Sequence, residues 1–113
     1  MDGPPPRHDL DMAVVPYVLD MAILKHLEGL KGLQLLGLDK TSITDAGLEH
    51  LQGLVALREL TLRGNRVTGT GIQYLRRLTK LRLLSLMQTL VDDEHLKYME
   101  GMTQLEYLFL QKT

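Results

Sequence analysis

Leucine returns in this chain at uneven intervals that match neither a helix nor a strand throughout, yet the uneven pattern itself recurs every 24 residues. Aligned at that step from Leu33, the fourth column holds Leu36, Leu60, Leu84 and Leu108, and the sixth holds Leu38, Leu62, Leu86 and Leu110. The eleventh column reads Ile43, Val67, Val91, and the sixteenth Leu48, Ile72, Leu96. One step back from Leu33 lies a worn copy in which Met12, Val14, Leu19, Leu24, Leu27 and Leu30 fill columns 4, 6, 11, 16, 19 and 22. A fixed period of this length marks a repeat architecture, in which a single unit cannot bury its own apolar face and successive units must stack.

Each unit changes period part-way along. Leu60-x-Leu62 alternates as a short strand does when one face is buried. Asn65 then opens a turn, where its side chain can satisfy backbone groups that a tight loop leaves unpaired. Thr41, Thr89 and Thr113 hold the same column, and a hydroxyl can do a weaker version of that task. Thr44 or Asp45, Thr68 and Asp92 follow at positions suited to helix N-caps. Apolar residues three apart, such as Leu48, Leu51 and Leu54, then trace a short helix. The unit reads as strand, turn, helix and return.

These residues resemble the leucine-rich repeat family, whose pattern L-x-x-L-x-L-x-x-N/C-x-L is matched by LRELTLRGNRV, with Val67 in the last apolar place. ITDAGLEHL is similar to the "ITD-x-G-L-x-x-L" subtype, found in many bacterial repeat proteins and, in a cysteine-bearing form, in F-box-type substrate readers. The resemblance covers roughly residues 9–113. It implies an α/β fold, a right-handed solenoid with a short parallel sheet on its concave side and short helices on its convex side. The expected organisation is a lead-in at 1–8, a degenerate capping repeat at 9–32, repeats at 33–56, 57–80 and 81–104, and a half-repeat at 105–113. Two departures stand out. Threonine replaces Asn or Cys in most turns, and His95 stands where the other units carry Gly47 and Gly71, so the last full turn is expected to differ locally.

Composition narrows the function classes. A chain of 113 residues has room for one domain. Thirteen basic and fourteen acidic residues leave a net charge of −1, which gives no global pull toward nucleic acid or an anionic membrane. With no cysteine, disulfides, thiolate metal sites and cysteine nucleophiles are excluded. Asp9, Asp11, Pro16 and Asp20 interrupt any apolar signal-like run, and no apolar stretch reaches membrane-spanning length. A soluble, cytoplasmic setting is expected. GNRVTGTG lacks the lysine–serine ending of a phosphate loop, and Ser42 and Ser85 lack a nucleophile-elbow context. Asp92, Asp93 and Glu94, with His95 adjacent, read as acids capping a helix start rather than a metal site. His26 and His50 share a column with Tyr74 and Tyr98 and read as a surface ladder. No catalytic residue, metal or cofactor is therefore expected.

Binding is expected on the concave face, built from columns 2, 3, 5, 7 and 8. Column 3 supplies Leu35, Glu59, Leu83 and Tyr107; column 5 supplies Gly37, Thr61, Ser85 and Phe109. Column 7 supplies Asp39, Arg63, Met87 and Gln111, with Arg58 and Arg82 flanking in column 2. Leu83, Met87, Tyr107 and Phe109 would form an exposed apolar patch beside arginines, the composition of interface cores. Arg76, Arg77, Lys80 and Arg82 form a local basic run. Past Leu105, Leu108 and Leu110 the sequence holds no polar closing helix, and the terminal strand invites a further chain to add to it. Two readings follow. The first is an interaction module that binds a protein partner through its concave sheet. The alternative is a structural subunit that homodimerises or docks through the C-terminal strand edge.

Overall fold

In a computed structural model, residues 12–14 and 21–111 of the chain are described. The 1–8 lead-in, Asp9, Asp11 and Thr113 lie outside them. The order is β1 (Met12–Val14), α1 (Met21–Glu28), β2 (Leu35–Gly37), α2 (Asp45–Leu48), β3 (Glu59–Thr61), α3 (Gly69–Leu75), β4 (Leu83–Ser85) and β5 (Tyr107–Phe109). A 3₁₀ turn, Glu49–Leu51, continues α2, and a 3₁₀ helix, Asp93–Met99, occupies the place that α3 takes in the preceding unit. No helix among the described residues is long and apolar enough to cross a membrane.

The strands form one parallel sheet in chain order, β1 to β5. From β2 onward the register follows the sequence period: Leu36 pairs with Leu60, Leu60 with Leu84, and Leu84 with Leu108. The first unit departs from it. Met12 pairs with Leu35 and Ala13 with Leu36, so β1 sits one residue off the column assignment that placed Met12 and Val14 in columns 4 and 6. Leu24 and Leu27 nevertheless occupy the core, as columns 16 and 19 require. The residue is therefore lost between the first strand and its helix.

Alternation explains the core. The centre of each inner strand, Leu36, Leu60 and Leu84, is buried, as are Leu38, Leu62 and Leu86 just beyond. Leu48, Leu51, Leu54, Ile72, Leu75 and Leu78 meet them from the helical side in one continuous cluster. Spacing of three is the 3₁₀ period, in which side chains at i and i+3 eclipse, and two of the helical segments adopt it.

Close packing limits side-chain size in the helical segments. A methyl group on Gly47 would lie 2.7 Å from Cγ1 of Ile43, and one on Gly71 would lie 2.8 Å from Cδ1 of Leu48 in the unit before. Column 8 takes the left-handed region in each full unit, with φ of 54° at Lys40, 74° at Gly64 and 58° at Gln88. Glycine alone adopts that conformation without a steric penalty.

Between strands the backbone continues the ladder. The carbonyl of Gln34 accepts from the N–H groups of Arg58 and Glu59, that of Arg58 from Arg82 and Leu83, and that of Arg82 from Glu106 and Tyr107. The series stops at β5, whose three residues are all exposed. Leu108 is 36 % exposed where its counterpart Leu84 is 0 %.

Candidate binding face

The outward side of the sheet follows from the same alternation that fills the core: residues either side of each central leucine point away from it. Parallel pairing sets Leu35 beside Glu59, Glu59 beside Leu83, and Leu83 beside Tyr107. Arg58, Glu59, Arg63, Arg82, Tyr107 and Phe109 are exposed, with Tyr107 at 55 % and Phe109 at 43 %. Leu35, Leu83 and Met87 are only half-buried rather than fully exposed, because strands on both sides shelter them. Ser85 is buried. The apolar part of the face is therefore half-buried Leu35 and Leu83 on either side of exposed Glu59, Met87 beyond β4, and two standing aromatic rings at the edge.

Two depressions open along the face. One, of about 280 Å³, is lined by Gln34, Leu35, Arg58, Glu59, Arg82, Leu83 and Tyr107. It gathers six of the sequence-predicted residues and leaves out Arg63, Met87 and Phe109. Arg63 is held elsewhere: its N–H donates to Oδ1 of Asp39 at 3.0 Å and its Nε to Oε1 of Gln88 at 3.4 Å. The second, of about 660 Å³, lies where the strands begin and is lined by Arg58, Lys80, Arg82, Thr103, Gln104, Leu105 and Glu106.

Arg82 and Glu106 form a two-pronged pair across neighbouring units, Nε to Oε2 at 2.8 Å and Nη2 to Oε1 at 3.1 Å. The hydrogen bond from Arg82 holds the Glu106 carboxyl below its ordinary range, and the cation's charge adds to that. The same hydrogen bond, then the charge of Glu106, pushes the Arg82 guanidinium higher still. Both side chains are about half exposed, so the pair orients the guanidinium more than it stabilises the fold. Glu106 was not singled out among the sequence-predicted residues. Its signal was an opposite charge 24 residues from Arg82 in the same column.

Other flagged residues separate. The basic run divides: Arg76 and Arg77 line a depression with Gln73 and Gly101, while Lys80 and Arg82 belong to the sheet side. Asp92 and His95 form a capping box at the start of the 3₁₀ helix, with Asp92 Oδ1 accepting from Glu94 N–H at 3.0 Å. No metal-capable cluster of His, Cys, Asp or Glu occurs among the described residues. The histidine–tyrosine column does not stack as expected. His50 pairs with the Glu28 carboxylate, and among the described residues the ring contact joins His95 to Tyr98, at 6.4 Å between centroids.

No protein-family model and no curated protein matches the chain. Among solved structures it is similar to an internalin (inlF) from Listeria monocytogenes str. 4b F2365, with a TM-score of 0.67 and 21 % identity. The fold is leucine-rich-repeat-like. The match covers 74 % of this chain and 24 % of the internalin, so it spans about a quarter of that protein's length. At this identity the likeness is one of fold.

Proposed function

We propose that the chain is a non-catalytic protein-interaction module, a leucine-rich-repeat solenoid that docks a protein partner on the outward face of its sheet. The observation that carries this reading is the line of Leu35, Glu59, Leu83 and Tyr107 across four paired strands, in which half-buried leucines stand either side of exposed Glu59 and exposed Arg58 and Arg82 flank the row. Aromatic and arginine side chains beside half-buried apolar ones are the make-up of interface anchors. The test is affinity capture from the native host with Tyr107→Ala/Phe109→Ala as the paired bait. Loss of the captured protein at unchanged thermal stability supports the reading; equal capture by both baits removes this face from it.

A second reading has its own support. The exposure of Leu108, against complete burial of Leu84, leaves a core position uncovered at β5. In this reading the edge strand joins a second copy or a larger assembly. Sedimentation over a concentration series tests it: a monomer throughout rules out self-association.

A further inference from the structure

Arg58 is the side chain that belongs to both depressions without an internal partner. Arg82 also lines both, but its guanidinium is engaged by the two oxygens of Glu106. Arg58 makes no ion pair and no side-chain hydrogen bond among the described residues, and it is exposed. Its backbone is nonetheless fixed, its N–H donating to Gln34 and its carbonyl accepting from Arg82 and Leu83. The result is a loose cation on a rigid base. In the larger depression Arg58, Lys80 and Arg82 face a single carboxylate, that of Glu106. This local positive lobe stands on a chain whose net charge is −1. Directly beside it the smaller depression offers the apolar sides of Leu35 and Leu83 and the ring of Tyr107.

We propose that this face takes an acidic peptide segment of its partner, placing a carboxylate on Arg58 and Lys80 and an adjoining aliphatic or aromatic side chain on Leu35, Leu83 and Tyr107. The inference rests on the reading of the sheet face as a protein-docking surface and adds the chemistry of the partner. An arginine fork matches a carboxylate in two-pronged geometry, and Arg82 already displays that geometry with Glu106. A nucleic acid fits less well. Glu59 and Glu106 stand among the cations and would repel a continuous line of phosphates, and Tyr107 is the one aromatic residue in the two linings.

The arrangement makes Glu106 an internal competitor, since its carboxylate holds the cation an incoming acid would otherwise use. Removing it should therefore strengthen binding, an effect that a structural role for the pair does not produce.

The experiment uses the full chain and fluorescent peptides in which glutamate and leucine alternate, beside matched peptides with glutamine for glutamate and a single-stranded oligonucleotide. Fluorescence anisotropy is read at low and raised salt. The expected results are preference for the glutamate peptide, weakening with salt, and a loss of roughly tenfold in Arg58→Glu. Arg58→Gln should lose less, and Glu106→Gln should bind several-fold tighter. Equal binding of glutamine and glutamate peptides, indifference to both Arg58 variants, or tighter, Arg58-dependent binding of the oligonucleotide overturns the proposal. A bound fraction that falls as protein concentration rises also overturns it, because the face would then serve a second copy. The two readings fail separately. If Tyr107→Ala/Phe109→Ala abolishes capture of the native partner while Arg58→Glu leaves it intact, the docking face stands and its acidic partner does not.

Discussion

Asn65 does more than its place in a turn suggests. Its Oδ1 accepts from the N–H groups of Thr41 at 3.1 Å and Ile43 at 3.0 Å, both in the preceding unit. Its Nδ2 donates to the carbonyls of Leu38 at 2.8 Å and Leu62 at 2.9 Å. The side chain is buried, so each bond lost leaves a group with no access to water. Asn65→Ala should cost about 3 kcal/mol, measured by chemical denaturation, and Asn65→Thr somewhat less. The threonines in this column behave differently from the asparagine. Thr41 and Thr89 direct their hydroxyls to carbonyls of their own units, Leu38 at 2.7 Å and Leu86 at 2.6 Å. The sequence marks Asn65 as a turn residue, and that is as far as local pattern reaches. Its reach into the unit before links residues 24 and 22 positions apart, a relation only the stacked register creates.

Between elements, neighbouring units fit by exchanging size. Asp45 in column 13 stands over Gly71 in column 15 of the next unit and accepts from the N–H of Thr68 at 2.8 Å. One interface later the sizes reverse. A methyl group on Gly69 would lie 2.5 Å from Cδ2 of His95, so the glycine has moved to column 13 and the bulk to column 15. The expected local difference at His95 thus has a cause in its neighbour, and the helix there is 3₁₀ where that unit has α-helix. A double-mutant cycle tests the pairing. Gly69→Asp alone overpacks against His95, and His95→Gly alone opens a cavity and removes the capping box, each costing roughly 1–3 kcal/mol. Together they recreate the Asp45–Gly71 arrangement, and the combined loss should fall short of the sum by about 1 kcal/mol or more. Helix starts were legible, since Thr44, Thr68 and Asp92 are the N-caps. Thr44, however, makes no side-chain cap bond, and Asp45 reaches across to the next unit's cap instead of serving its own.

At the scale of the whole molecule, the leucine column measures how enclosed each unit is. Leu84→Ala should cost about 3–5 kcal/mol, because its site is fully buried between β3 and β5. Leu108→Ala should cost about 1 kcal/mol in a monomer, since the residue is 36 % exposed at the last strand. Denaturation at two protein concentrations checks both, and a larger, concentration-dependent cost at Leu108 would point to a covered edge. The stacking of units was readable because period and register coincide from Leu33 onward. The one-residue slip at β1 was not, for the run Met12-Ala13-Val14-Val15 offers an apolar pair to columns 4 and 6 in either alignment, and only backbone pairing separates Met12 and Val14 from Ala13 and Val15. Likewise the face was readable as a set of columns, but not the pairing of Arg82 with Glu106 that leaves Arg58 unengaged. The unbroken offset from β2 to β5 also sets how the chain tolerates changes of length. An indel of a residue inside a strand would shift that rung against its neighbours, whereas one in a connection is absorbed there, as the first unit shows. Excision of 57–80 would bring β4 beside β2 with all columns matched. Even that clean cut would leave the amides of Thr41 and Ile43 facing Thr89, whose hydroxyl already serves Leu86. The modules are interchangeable in spacing and particular in their stitching.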